Sequence, residues 1–399
     1  MRIGIITFHF PYNCGAVLQC YALQTKIEQL GHQAGIINYR PWYHQNRYVA
    51  LKNPIYFACR QIKKKDESDH LCRRTLRGVD GFLRSIYSWR NYWKITPRDK
   101  KFRVFVKNYL HETKVYRTLD QLQKNPPDFE LYICGSDQIW NAKLTEGKFD
   151  PAYFLYFGGK EKGRISFSAG ANFDETNIED SNLLKYLSSF DAIALREEKC
   201  YEVVRSTVNG KVPVEITIDP TFLLDAKEYY SIMTKNVLVS EPFILTYIMP
   251  NETQHKVFNA AKILGERKRM RVIDVSGNPS KNNAIIADNR VCGPDEFLWY
   301  IEHASYILTN SFHGTAFSII FQKQFAVIPH SDTGNRVSEL LKKLDLSSCC
   351  AKTGPEAADI AESAIDYKEA SETLLELKEK SIQYLLNCIS ITERNHKKT

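Results

Sequence analysis

The chain reads as an α/β protein of two doubly wound domains facing a cleft, with a C-terminal amphipathic helix. Three observations carry this reading. Short apolar strand candidates alternate with segments of helical periodicity, the pattern of a parallel sheet covered on both faces. The same alternation restarts after about residue 240. Polar, glycine-containing turns come directly after strand candidates, where such sheets bind ligands. At 399 residues the chain is long enough for two domains.

The elements follow in order. Arg2–Phe8 is a strand candidate, and Ala16–Leu30 has helical periodicity and stops at Gly31, a plausible C-cap. Ala34–Tyr39 is a second strand. A basic, mostly helical insertion occupies about 48–110. Strands follow at Leu131–Cys134, Arg164–Ala169, Ala192–Leu195 and Val214–Ile218, the last stopped by Asp219-Pro220. A boundary near Asp225–Pro242 separates an N-terminal domain, 1–228, from a C-terminal one, 240–350. In the second half Phe243–Ile248, Arg271–Val275, Tyr306–Leu308 and Phe325–Ile328 read as strands. Lys256–Leu264, Pro294–His303, the segment after the His313 turn through Phe321 and Arg336–Leu344 read as helices. Residues 355–399 form a helical tail, in which Leu374, Leu377, Leu385 and Ile389 mark an apolar face.

Composition is that of a soluble globular protein, with 43% hydrophobic and 25% charged residues. No run of about 18 apolar residues exists, so no transmembrane helix is expected. The apolar stretch at Met1–Thr7 is too short for a signal peptide and leads into a strand pattern, so a cytoplasmic location is expected. The ten cysteines form no CxxC pair and mostly sit in apolar patterns. They read as reduced, buried thiols, and no metal spacing is present. The formal charge is +8, concentrated between Arg60 and Lys107, where fifteen Lys or Arg face five Asp or Glu. Tyr87, Trp89, Tyr92 and Trp93 are interleaved. The foremost reading is a solvated helical insertion whose aromatics pack inward. The next is peripheral contact with an anionic membrane surface through 60–107. No nucleic-acid motif is present, so no nucleic-acid partner is expected.

Residues 309–319 carry the most chemistry. A strand ends in Thr309-Asn310-Ser311-Phe312-His313-Gly314-Thr315, and an apolar helical pattern begins at once. Such a turn offers free N–H groups at the positive end of a helix dipole, a natural anion cradle. His313 beside it has the side chain suited to proton transfer near neutral pH. Other turns add polar groups. Asn13 and Gly15 precede the first helix, where Asn suits a cap or a sugar hydroxyl and Gly lets a ligand approach. Gly135-Ser136-Asp137-Gln138-Ile139-Trp140-Asn141 offers a dense polar set with one indole, suited to a sugar surface or equally to a cap and a core Trp. Ser166–Asn172 is a strand end of small residues. Arg196 follows a strand and suits a carboxylate or phosphate, or an ordinary ion pair with Glu197 or Glu198. Asp219 suits capping, or orientation of a base or hydroxyl. Arg336 opens a helix after a strand. There is no GxGxxG fingerprint, so no dinucleotide is indicated.

Taken in order, five of these segments resemble the polysaccharide pyruvyl transferase family. They are Gly4–His9 with Asn13–Gln24, Gly135–Asn141, Leu195-Arg196-Glu197, Ile218–Thr221 and Ser311–Gly314, and the resemblance spans roughly residues 1–345. Cys14 departs from the family's more usual aromatic. The resemblance implies two Rossmann-like domains arranged as in GT-B glycosyltransferases. It implies transfer of pyruvate from phosphoenolpyruvate, as a substrate and not a cofactor, to two hydroxyls of one sugar, forming a cyclic ketal. His313 is then the acid/base residue and Arg196 a donor ligand, with no metal. Asp137 or Asp219 is the candidate to take the hydroxyl proton. The remaining candidates for substrate contact are Ser311, Gly314, Thr315, Asn310, Arg336, Asn13, Gly15, Ser136, Gln138 and Trp140. By analogy the acceptor is a sugar or lipid-linked oligosaccharide at the inner membrane face. The N-terminal domain is expected on the acceptor side and the C-terminal domain on the donor side. A glycosyltransferase using a nucleotide-sugar and a non-catalytic sugar-binding relative are the alternatives.

Overall fold

The computed structural model describes residues 1–10, 12–41, 43–44, 54–63, 71–90, 92–173, 181–277, 286–330 and 334–396. In the first half β1 (Arg2–Ile6), β2 (Gln33–Ile36), β3 (Leu131–Cys134) and β4 (Gly163–Ser166) make a parallel sheet in the order β2-β1-β3-β4. β5 (Ile193–Leu195) and β6 (Val214–Ile216) pair with each other and join this sheet through the parallel bridges Ile165–Ala192 and Ala169–Leu195. All four residues of β3, Leu-Tyr-Ile-Cys, are buried. A parallel strand covered on both faces has no solvent side on which to put polar residues.

The second half repeats this plan. β7 (Phe243–Tyr247), β8 (Arg271–Asp274), β9 (Asp288–Asn289), β10 (Tyr306–Thr309) and β11 (Phe325–Val327) form a parallel sheet in the order β11-β10-β7-β8-β9. Strand order reverses between β1 and β3 in the first sheet and between β7 and β10 in the second. Crevices at the carboxyl ends of strands open at such switch points. The two crevices adjoin: Asn13, just past β1, accepts a hydrogen bond at 3.3 Å from the hydroxyl of Tyr247, the last residue of β7. The expected two-domain α/β architecture is therefore the one observed.

One strand lay outside the sequence expectation: β9 is a two-residue polar edge strand with no apolar alternation to mark it. Within the expected helical tail, the helix Gly354–Glu362 starts with a capping box between Thr353 and Glu356. The C-terminal helix, Lys368–His396, returns to the first sheet. Its Ser381 hydroxyl accepts the Ile218 N–H at 3.0 Å, its Tyr384 hydroxyl donates to Ser166 O at 2.9 Å, and Leu385 and Ile389 are buried.

The basic insertion contains the helices Pro54–Lys63, Leu71–Arg90 and Tyr92–Tyr109. The expectation of one membrane-facing surface over 60–107 fails for the last of these. Phe102 and Phe105 are buried, Lys101 pairs with Glu296 at 2.6 Å, and Arg98 donates to Tyr12 O at 2.7 Å and Ser276 O at 3.4 Å. This helix fastens one domain to the other. The side chains of Tyr87, Trp89, Tyr92 and Trp93 lie outside the described residues. Among the described residues no helix is long and apolar enough to cross a membrane, and no cluster of His, Cys, Asp or Glu is suited to a metal.

Candidate active site

β10 ends at Thr309, and Ser311 caps the helix Phe312–Ile320 through a 3.4 Å hydrogen bond from the Gly314 N–H. His313 is thus the second residue of the helix, not part of the turn before it. The N–H groups of Phe312 and His313 lie in the first turn, where no intrahelical acceptor exists. The imidazole is only 7% exposed. Its Nε2 lies 3.9 Å from Asp219 Oδ2 and makes no hydrogen bond among the described residues. The ring rests on Gly15 of the other domain, where a Cβ would overlap it. Only glycine lets the two domains meet this closely.

Asp219 sits past β6 and is fully engaged. Its carboxylate accepts from Arg196 Nη1 at 2.8 Å, Ser136 Oγ at 3.1 Å, the Thr221 N–H at 3.0 Å and Thr221 Oγ1 at 2.9 Å. Burial pushes this carboxyl up, but His313, Arg196 and the Thr221 amide outweigh burial and hold it below the usual carboxylate range. Arg196, just past β5, also donates from Nε to Glu197 at 2.8 Å. Its Nη2 is buried and has no hydrogen-bond partner among the described residues. Burial opposes its charge, yet Glu197 and Asp219 raise its pKa above the ordinary guanidinium value.

Arg336 reaches the same place from the helix Gly334–Lys343. Both guanidiniums lie over the Phe312 ring, Arg196 at 4.9 Å and Arg336 at 5.9 Å. Arg336 Nε is 3.7 Å from Glu197. With its amide oxygen turned toward the guanidinium, Gln138 accepts from Arg336 at 2.6 Å. Burial, and then the Arg196 charge, lower the Arg336 pKa to about 10. Burial likewise lowers His313 below the usual histidine range, against the pull of Asp219 and Asp137. A buried guanidinium, a half-buried one and an imidazole make a receptor for a small anion.

The structure brings together His313, Arg196, Arg336, Ser136, Gln138 and Gly15. Asp137 is half-buried with φ +64°, a left-handed conformation that Asp tolerates. One of its oxygens takes the Gln138 N–H at 2.8 Å, and its charge acts on Arg196, Arg336 and His313. Asn13 caps the helix Cys14–Gln29 by accepting the Ala16 N–H at 3.3 Å, so its role is structural as well as interdomain.

Other candidates are corrected by the structure. Trp140 is fully buried, stacks on Phe154 at 5.0 Å and donates its indole N–H to Tyr153 O at 2.9 Å, so it offers no face to a sugar. The Asn310 amide is spent on Met249 N–H, Met249 O and Asn251, tying the end of β10 to the chain beyond β7. Thr315 is buried and bonds Ser311 O at 3.0 Å. Ser311 is occupied as the cap, and a Cβ at Gly314 would overlap the Thr309 hydroxyl. These four serve the turn.

Sequence reasoning missed three contributors. Glu197, read as one half of an ordinary ion pair, is buried and approaches both arginines. Phe312 supplies the ring they share. Gln19 accepts the Ser136 N–H at 3.2 Å and donates to Thr7 at 3.0 Å, fixing the turn after β3. Adjacency of Arg196 and Glu197 was visible, but nothing in the sequence shows that both are buried.

One cleft opens on this cluster, and a second shares none of its residues. The first, of about 600 Å³, is lined by Arg196, Glu197, Asp219, Phe312, Arg336 and Lys343. The second and larger one, about 1230 Å³, lies past β1 and β2 and is lined by His9, Tyr12, Arg40, Arg103, Lys107 and Arg117 among others.

Two parallel α/β domains meet here with a buried His, Asp and Arg cluster at their switch points, where such sheets bind ligands. The chain belongs to the polysaccharide pyruvyl transferase family, whose sequence model matches residues 13–332. No curated protein matches the chain. Among solved structures it is similar to the UDP-GlcNAc 2-epimerase of Methanocaldococcus jannaschii, at 11% identity over 92% of this chain and 94% of that one, with a TM-score of 0.49. It is also similar to S. aureus MnaA with UDP, at 14% identity over 98% and 97% and a TM-score of 0.48. The glycosyltransferase SnogD of Streptomyces nogalater gives 11% identity over 98% and 99%, with a TM-score of 0.44.

Proposed function

We propose that the protein moves the pyruvyl group of phosphoenolpyruvate onto two hydroxyls of one sugar in a polysaccharide repeat unit, forming a cyclic ketal. The observation that carries this reading is the pair of buried nitrogens with no hydrogen-bond partner among the described residues, Arg196 Nη2 and His313 Nε2, beside Arg336. Phosphoenolpyruvate carries a phosphate and a carboxylate, and the cluster offers two guanidiniums for them. The donor's negative charge offsets the burial that keeps His313 neutral, so the bound state favours the imidazolium.

His313 then gives its proton to the methylene carbon, and the adjacent carbon becomes electrophilic. A sugar hydroxyl attacks that carbon and its proton passes to Asp137. Asp219 is the poorer acceptor, because four hydrogen bonds already fill its carboxylate. Phosphate leaves with the bonding electrons of its C–O bond. The second hydroxyl adds to the same carbon and closes the ring, and its proton passes to His313, left neutral by the first step. His313 orders proton transfer, the arginines hold the anion, and Asp219 holds Arg196.

Phosphoenolpyruvate should stabilise the folded protein, by about 2.7 kcal/mol at a hundred times its Kd. UDP- and GDP-sugars should not, and Arg336→Ala should reduce the effect. Stabilisation by a nucleotide-sugar instead would move the protein to the glycosyltransferases.

The acceptor, on this reading, occupies the larger cleft past β1 and β2. Tyr12 in its wall is three residues from Gly15, on which the His313 ring rests. Phe10 and Tyr12, both half-buried, offer ring faces for a sugar, and four cations outnumber Asp99 and Glu112. Arg117→Trp, which fills the cleft, should abolish saturation-transfer NMR signals of galactose and galacturonate while leaving phosphoenolpyruvate binding unchanged. Undiminished signals would remove the acceptor from this cleft.

A further inference from the structure

The helix Leu71–Arg90 is inside out for a soluble protein. Its small residues face inward: Gly78, Gly81 and Ser85, spaced i, i+3, i+7, are buried, and a Cβ at Gly78 would overlap the Ile62 side chain of the helix Pro54–Lys63. Its large apolar residues face outward. Leu76 is 67% exposed, Val79 51%, Leu83 58% and Ile86 46%, at the spacing i, i+3, i+7, i+10 that draws one stripe on a helix. Phe82 borders the stripe, and Ile55 and Ile62 of the neighbouring helix are exposed too. Large apolar side chains gathered on one solvent face mark a docking surface.

Charge selects what docks there. Across residues 54–90 the sequence carries nine Lys or Arg against four Asp or Glu. Arg77 falls by helical register on one flank of the stripe. A second copy of the same surface would bring like charge against like charge, which is unfavourable. An anionic lipid surface satisfies both features, taking the apolar stripe into its acyl boundary and the cations at its headgroups.

We propose that the hairpin of helices Pro54–Lys63 and Leu71–Arg90 seats the protein on an anionic bilayer, the stripe Leu76, Val79, Leu83 and Ile86 entering the interface without spanning it. The inference is independent of the transferred group and of the acceptor. It differs from a purely electrostatic contact because the apolar stripe does part of the binding.

The test is flotation of the full chain with vesicles of phosphatidylglycerol and phosphatidylcholine in equal parts, and with phosphatidylcholine alone. The wild type should float with the anionic vesicles only, and less so at about 0.5 M salt, where charge is screened within a few ångströms. Leu76→Ser/Leu83→Ser should weaken binding by about tenfold, with unchanged circular dichroism. Failure of the wild type to float overturns the proposal. So does equal flotation of the variant, which leaves charge alone as the cause. Wild-type dimers that the variant abolishes, without vesicle binding, would make the stripe a self-interface and overturn it as well.

Discussion

His313→Ala should lower turnover by about 10² to 10⁴ while the chain stays folded, the range that a positioned acid or base contributes. The expectation rests on three features. The ring is buried against Gly15, its Nε2 makes no hydrogen bond among the described residues, and the negative charges of Asp219 and Asp137 face it. Removing the imidazole leaves Arg196 and Arg336 to hold the donor, so affinity for phosphoenolpyruvate should change far less than turnover. A pH profile gives a second readout. Burial lowers the pKa of His313 in the free protein, so the imidazole is neutral near pH 7 until an anion arrives. Donor binding should therefore take up about one proton, and turnover should fall as pH rises past the pKa in the complex. Calorimetry in buffers of different ionisation enthalpy measures the uptake, with His313→Gln as control. Near-normal turnover in His313→Ala would sink the assignment.

Asp219→Ala should be the most destabilising single change at the site, by about 3–5 kcal/mol in chemical denaturation. Asp219 is 2% exposed and compensates a guanidinium that is also buried. Its removal leaves Arg196 short of a partner and Ser136 and Thr221 without an acceptor. The pH dependence has a definite sign. Asp219 is held below its ordinary pKa, so the stability it adds is present above the usual carboxylate range and is lost as pH falls through its folded pKa. Burial of His313 acts in the same direction: its neutral form is favoured by folding, so stability falls as pH drops below the usual histidine range. Asp219→Asn keeps the shape and should cost less than Asp219→Ala, while its response to acid should be blunted. Denaturation curves within about 1 kcal/mol of wild type for Asp219→Ala would mean that Arg196 is not held as described.

These two residues show how far a sequence can be read. His313 was legible because it stands at a strand end before an apolar helical pattern, and periodicity reports such junctions directly. Arg196 and Asp219 were legible by the same logic, each directly past a strand. Their union was not, because twenty-two residues separate them and only the parallel pairing of β5 and β6 sets them side by side. Trp140 went astray for the opposite reason. A local cluster of polar residues suggests a surface, but Phe154 and Tyr153 enclose the indole from a later segment. Asn310 and Thr315 likewise have polar groups that the fold itself consumes.

What the sequence by itself determined is the alternation of elements, the restart near residue 240, the turns that follow strands and the family. All depend on short-range periodicity and local turn chemistry. What only the tertiary structure decided is burial and partnership: Glu197 approaching both arginines, Phe312 beneath them, Gly15 against His313, and a hairpin that turns its glycines inward and its leucines out. Each depends on which distant surfaces meet, and burial sets whether a charge is screened by water or must find a partner.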